Sequence, residues 1–270
     1  MTLNNGRRIT GQIRLAVVAL LVSTFAWGQQ SKTASELVEQ LKSTPVFYEQ
    51  FEVAKKLVAL HDKSVLPKIE SLLGADDRHL RGNVAFVFAS LGDDRGFQVI
   101  VDILRDTKGD RRPRQTIATA PWSLGKQIES DRYYAAHLLG DLRDPRAVPI
   151  LVPLLKDRDV NYIVPWSLGE IGDRSAIPAL IENLNDQNPD LRVLAIYALV
   201  KLKAKEALPR IRALVNDNER IHFDGLGTVA EAARAAIVEL AGSRVSIWSE
   251  QKLVVRTAAS GLVGSAISRG

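Results

Sequence analysis

The sequence predicts an all-α fold: a right-handed α-solenoid of about five helix pairs with a helical cap at each end. Three observations lead there. Residues 138–217 state one text nearly three times, LLGDLRDPRAVPILVPLLKD, SLGEIGDRSAIPALIENLND and LVKLKAKEALPRIRALVND, with Asp144, Asp173 and Ala204 equivalent and 29 and 31 residues apart. A unit of that length cannot bury its own apolar face and must stack on its neighbours. Within each unit the apolar positions recur at helical spacing, as in Ile150, Leu151, Leu154 and Leu155 or Ile177, Leu180, Ile181 and Leu184. The composition agrees: 46% hydrophobic, 25% charged and only 6% aromatic, so the core is aliphatic.

In chain order, residues 1–28 carry Arg7, Arg8 and Arg14 and no acidic residue, followed by an apolar run from Leu15 to Val22 that extends through Phe25 and Ala26. The run has the length of a signal-peptide core and falls short of the ~20 residues that span a bilayer. Ala26 and Gly28 place small residues at the −3 and −1 positions of a cleavage site before Gln29. The expectation is a periplasmic or secreted protein cleaved near Gly28, with an uncleaved membrane anchor as the alternative. Without those three arginines the formal charge of +5 falls to +2, too weak for a global attraction to nucleic acid. Cysteine is absent, which excludes disulfides, thiolate metal sites and cysteine nucleophiles.

Residues 29–47 read as a linker and a capping helix, in which Thr33 and Glu36 form a capping box before Leu37, Val38 and Leu41. Residues 48–241 carry the repeats. Each is a helix A, a turn and a helix B. Asp62, Asp93, Asp144 and Asp173 begin the A helices, where a carboxylate caps free amides and complements the helix dipole. Pro67, Pro149, Pro178 and Pro209 follow slightly later than the ideal first position, so some bending is expected. Ala135, Ala136 and Ala195 let B helices approach closely. Gly92, Gly140, Gly169 and Gly172 are read as left-handed helix ends. The step from Asp93 to Asp144 is 51 residues, about 20 too many, and the excess is an insertion at about 107–130. Residues 242–270 are a tail, partly ordered through Ile247, Trp248, Leu253 and Val254.

The text of residues 139–155, 168–181 and 191–199 resembles HEAT-like repeats of the phycobilisome-lyase type. The resemblance covers roughly residues 48–241 and is specific for fold, since the same units build scaffolds, adaptors, lyase components and nucleic-acid enzymes. It implies an Asp–Arg ladder on Asp186 and Arg192, and less securely on Asp76 and Arg81. It also implies that B helices line the concave face. With Arg81, Arg132, Asn161 and Arg192 aligned, position +5 points away from the buried side and holds Phe86, His137, Trp166 and Tyr197, with Lys55 in the first unit. Position +1 holds Gly82, Tyr133, Tyr162 and Val193. This aromatic column is either a row of recognition anchors or rings packed between adjacent B helices. The second candidate is the basic insertion, with Lys108, Arg111, Arg112, Arg114 and Trp122, which suits an acidic partner or lipid headgroups or is a solvated loop.

No catalytic constellation is evident. His61, His79, His137 and His222 share no metal-ligand spacing, His137 and Asp141 read as surface polar residues, and no phosphate-binding loop or nucleophile elbow occurs. The expectation is therefore a non-enzymatic, cofactor-free, metal-free scaffold that binds a protein or peptide on its concave face. A bilin-lyase-like enzyme or lyase subunit is the alternative the resemblance allows. A nucleic-acid binder is disfavoured by the low charge and by export.

Overall fold

A computed structural model describes residues 32–108, 124–222 and 227–242. The predicted signal peptide, most of the basic insertion (Arg111, Arg112, Arg114 and Trp122) and the tail beyond Gly242 lie outside the described residues. Among the described residues there is no strand beyond one isolated bridge between Arg220 and Thr228, and no helix is long and apolar enough to cross a membrane.

The helices are α1 (Ala34–Ser43), α2 (Phe47–Ala59), α3 (Leu66–Ile69), α4 (Arg78–Ser90), α5 (Asp94–Arg105), α6 (Leu124–Leu142), α7 (Val148–Leu151), α8 (Val164–Ile171), α9 (Ile177–Asn183), α10 (Pro189–Lys201), α11 (Leu208–Arg212) and α12 (Val229–Leu240). The B helices α2, α4, α6, α8, α10 and α12 pack side by side in one row, and the A helices α1, α3, α5, α7, α9 and α11 pair with them. This is an α-solenoid. One aliphatic core runs its length, from Leu37 and Leu41 through Phe88, Leu104, Leu138, Leu151, Leu168 and Leu199 to Leu240. Helix α1 packs on α2, so the predicted N-terminal cap is the first half of a further helix pair. The predicted insertion ends earlier than expected, because residues 124–130 are already the first turns of α6.

Local chemistry sets each unit's start. Asp62, Asp93, Asp144 and Asp173 accept hydrogen bonds from the amides of Ser64, Arg95, Arg146 and Ser175 at 2.8–3.1 Å. Ala204, the fifth equivalent, offers no side-chain cap. Where proline stands five residues after the cap position, helix A begins with a 3₁₀ turn (Lys63–Val65, Pro145–Ala147, Arg174–Ala176, Lys205–Ala207) before the α segment. The second unit has Gln98 there, and α5 is an unbroken α-helix of 12 residues. A proline cannot donate to the carbonyl four back and its ring crowds that carbonyl, so the preceding turn tightens.

The residue before each cap is left-handed in all five units: Gly92 and Gly172, but also His61, Arg143 and Lys203, with φ of 52°, 56° and 53°. Gly140 and Gly169, read from the sequence as left-handed ends, lie inside B helices instead. Their role is close approach. A Cβ on Gly140 would stand 2.8 Å from Ser167 Cα, and one on Gly169 would stand 3.3 Å from Ala198 Cα. Gly96 is tighter still, with a virtual Cβ 2.1 Å from the Ala85 carbonyl oxygen, where α5 meets α4.

An L-residue in the left-handed region costs roughly 1–2 kcal/mol that glycine avoids. Lys203→Gly and His61→Gly should therefore each stabilise the fold by about 0.5–1 kcal/mol after the entropy glycine adds to the unfolded chain. Gly96→Ala should destabilise it by about 1–3 kcal/mol or more, through forced displacement of α5 from α4. Urea titration of the three variants checks both signs.

Candidate functional site

The row of B helices brings Phe86, His137 and Trp166 of the predicted column together. Phe51 of α2 meets Phe86 of α4 edge-on at 4.9 Å and His137 of α6 at 6.1 Å. His137 stacks on Trp166 of α8 at 4.5 Å with an interplanar angle of 16°. Tyr134 lies parallel to His137 at 6.1 Å. The rings form one continuous run across four helices. It is not uniformly exposed, and this corrects the helical-wheel expectation: Phe86 and Trp166 are buried, at 6% and 7% accessibility. Each packs against the preceding B helix in the row, Phe86 on Phe51 and Trp166 on His137. Trp166 lies over the gap left by Gly140, whose added Cβ would stand 2.9 Å from the indole.

Tyr133, His137, Tyr162 and Tyr197 keep part of their surface. His137 Nδ1 stands 3.2 Å from Asp141 Oδ2 one turn on, and both side chains are mostly covered rather than lying free on the surface. Tyr197 donates to the Glu170 carboxylate, and burial followed by that negative charge pushes its hydroxyl up to about 12. Glu170 is also held by Lys201 at 2.7 Å and Arg143 at 3.2 Å. Tyr162 donates to Asp190 Oδ2 at 3.2 Å and accepts from Asn188 Nδ2 at 2.8 Å, so it ties the third unit to the fourth. Burial pushes the Tyr133 hydroxyl upward as well. Lys55 lies over the Phe51 ring at 5.0 Å and pairs with Glu52. Lys108, the described part of the basic insertion, is exposed.

Behind these rings lies a polar cluster the sequence reading missed. Tyr134 donates to Asn83 Oδ1, Asn83 donates to the Phe47 carbonyl at 2.9 Å and to Gln50 at 3.3 Å, and Gln50 donates to the Thr44 carbonyl. His79 stacks on Phe47 at 4.4 Å and is 3% exposed. Ser130 Oγ and Asp131 Oδ1 both approach the same His79 nitrogen, Nε2, at 3.4 and 3.6 Å. A nucleophile and its orienting carboxylate need opposite nitrogens of the imidazole, so this is a structural knot rather than a catalytic relay. Among the described residues no group of three or more His, Asp or Glu side chains could hold a metal ion.

The charged ladder also differs from the expected one. Arg192 does not pair with the Asp186 side chain. It donates to the Asp186 and Gln187 carbonyls and pairs with Asp217 of the next unit at 2.9 Å and with Glu219 at 3.4 Å. Arg132 likewise donates to the Leu104 carbonyl and pairs with Asp157 and Asp159 of the next unit, at 2.5 and 2.6 Å. Arg78 pairs with Asp106. Arg81, the less secure candidate, donates to the Ala75 carbonyl. The signal was present in the sequence: an aspartate recurs 13 residues after four of the five cap positions, as Asp106, Asp157, Asp186 and Asp217.

Residues 124–188 and 158–222 match the family model for HEAT repeats. No curated protein matches the chain. Among solved structures, an engineered protein is similar at 17% identity and a TM-score of 0.42, covering 78% of this chain and 97% of its own. A designed armadillo repeat protein in complex with the peptide (KR)4 is similar at 16% identity and a TM-score of 0.41, covering 77% and 100%. The complex of CpcE and CpcF of phycocyanin lyase from Nostoc sp. PCC7120 is similar at 17% identity and a TM-score of 0.36, covering 85% and 82%.

The Arg132 guanidinium, 4% exposed, holds the Asp157 carboxyl below its ordinary value. A carboxyl lowered by folding stabilises the fold above its unfolded value, near 3.9, and that stability is lost as pH falls through the lower folded value. Arg132→Gln should cost about 3–5 kcal/mol at neutral pH, as expected for breaking one side of a buried pair. The variant should also lose less stability than the parent between neutral pH and about pH 3, because its Asp157 keeps the Asp159 amide but no longer the guanidinium that lowers it most. Urea denaturation at both pH values measures the two effects.

Proposed function

We propose, for a chain whose residues 124–222 are HEAT repeats, that it is an exported, non-catalytic scaffold or adaptor that binds a protein or peptide along its row of B helices. The observation that carries this reading is the layered ring run. Phe51, Phe86 and Trp166 are buried in ring contacts, while Tyr133 and His137 on α6, Tyr162 in the turn before α8 and Tyr197 on α10 present partial surface. Rings already held by their neighbours lose little conformational entropy on contact, and such aromatics serve as interface anchors. The non-catalytic reading is supported by the His79 geometry, in which Ser130 and Asp131 share one nitrogen. The export reading is supported by the arginines, the apolar run and the small residues at 26 and 28.

A peptide library displayed on phage and selected against the protein should yield ligands. Their affinity should fall about tenfold or more in His137→Ala/Tyr197→Ala, a loss of about 1.4 kcal/mol, with the melting temperature within a few degrees. Equal affinity in parent and variant would remove the ring strip as the binding surface. An absorbance shift on mixing with a bilin would favour the lyase alternative instead. Sequencing the exported chain should find Gln29 at its N-terminus.

A further inference from the structure

The fifth unit carries a charge that the other four do not. From three residues before the cap position to twelve after it, the first four units have net charges of 0, −1, +1 and −2, over residues 59–74, 90–105, 141–156 and 170–185. The same window of the fifth unit, residues 201–216, holds Lys201, Lys203, Lys205, Arg210 and Arg212 against Glu206 alone, a net +4. The difference comes from particular repeat positions. Ala204 stands where the other four units have the capping aspartate, and it offers no side-chain cap. Arg210 stands where the second to fourth units have Val99, Ile150 and Ala179, and Arg212 where they have Val101, Val152 and Ile181, all in or against the core. Lys203 takes the left-handed position that Gly92 and Gly172 fill without steric cost. Each departure gives up a cap, an apolar contact or an easy turn, and each moves the local charge toward positive.

That charge is exposed and not neutralised within the fold. Glu206 pairs with Arg174 of the fourth unit at 2.6 Å, and Lys201 pairs with Glu170 at 2.7 Å. Arg210 donates to the neutral side chain of Asn185. Lys203, Lys205 and Arg212 make no side-chain hydrogen bond or ion pair among the described residues. Lys203, Lys205, Arg210 and Arg212 are all exposed, whereas Ala204, Ala207 and Ile211 between them have 0% accessibility. Lys205 and Arg212 return to the same side two turns apart, roughly 10–12 Å at helical rise. Charges at that spacing lie within about two Debye lengths at physiological salt and act together. Helix α11 belongs to the A layer, so its outward side faces away from the row of B helices.

We infer that the outward side of α11, with Lys203, Lys205, Arg210 and Arg212, docks the protein on a membrane surface that carries anionic phospholipid. The exposed neighbours of these cations are Pro209, Ala213 and Asn216, with no ring and no large apolar side chain. A protein interface is built around a buried aromatic or apolar anchor, and single-stranded nucleic acid needs rings on which bases stack. A headgroup layer needs neither, because clustered cations alone draw it at short range. The inference is independent of the ring strip, and a chain held through α11 keeps its B row clear for a partner.

The test is co-sedimentation of the protein with vesicles of equal parts phosphatidylcholine and phosphatidylglycerol, against vesicles of phosphatidylcholine alone. The mixed vesicles should carry the protein down and the neutral ones should not, and about 1 M salt, with a Debye length near 3 Å, should release it. Lys205→Gln/Arg210→Gln/Arg212→Gln should lower the partition coefficient about tenfold or more, with the melting temperature unchanged because all three side chains are exposed. Lys56→Gln/Arg105→Gln/Arg158→Gln removes as many exposed cations from other units and should lower it by less than about twofold. Equal binding to neutral vesicles, undiminished binding in the first variant, or an equal loss in the second would each overturn the assignment. So would capture by soluble polyglutamate of a protein that ignores the mixed vesicles, which would make the partner an acidic polypeptide.

Discussion

A buried guanidinium shared between consecutive units is the constraint on which the solenoid's geometry depends. Arg132 has almost no solvent left and is ionised, so every donor must be matched or the desolvation cost is not offset. It is matched by the Leu104 carbonyl of its own unit and by Asp157 and Asp159 of the next. That arrangement has one register. Sliding one unit against its neighbour by a turn would keep apolar atoms against apolar atoms, but would strand the charge. Aliphatic burial drives the stacking and the charged ladder selects how the units stack.

The apolar periodicity, the caps and the repeat length were legible because each has a local cause. Asp144 caps its own helix, so its neighbours in sequence suffice to read it. Glycine was not legible in the same way, because one residue type does two jobs. Gly172 supplies a positive φ, whereas Gly140 supplies empty space against Ser167, and only the neighbouring helix distinguishes them. The reverse also holds. His61, Arg143 and Lys203 occupy the left-handed position without being glycine, so a reading that looks for glycine there finds two junctions of five. The ladder was half legible. The aspartate spacing of 13 is regular, but its arginine partners come from the preceding unit, and a pairing sought within one unit lands on Asp186 and Arg192.

The ring column failed differently. A helical wheel assumes one buried sector, and for a helix on a globular surface that is sound. A B helix in the middle of a row has three covered sectors: one toward its A helix and one toward each neighbouring B helix. Position +5 falls at the edge of the third. Phe86 and Trp166 are buried at that seam against Phe51 and His137 of the preceding helix, while His137 and Tyr197 at the same position keep an exposed edge. The expectation of one exposed column therefore resolves into an interlocked underlayer and a partial outer strip. The polar cluster around His79 was not legible, because it joins residues 44, 47, 50, 79, 83, 130, 131 and 134 from four separate helical segments.

A linear array distributes its coupling junction by junction, so a weak junction is a local property with a consequence for the whole. Between the third and fourth units the apolar seam is intact, with Gly169 against Ala198. What changes is the charged register. Pro165 shortens α8 and takes Asn161 out of the helix, and Asn161 cannot supply the charge that Arg132 and Arg192 supply. Across this junction the ties are Tyr162 to Asn188 and Asp190, Lys201 to Glu170 at 2.7 Å, and Tyr197 to the same Glu170. The buried guanidinium found at the neighbouring junctions is thus replaced here by a hydroxyl in the turn and a lysine–glutamate pair at the end of α8. It is also the junction that carries Trp166, Tyr162 and Tyr197. A partner bound across those rings would contact Tyr162 and Tyr197, the same side chains that make this junction's own ties.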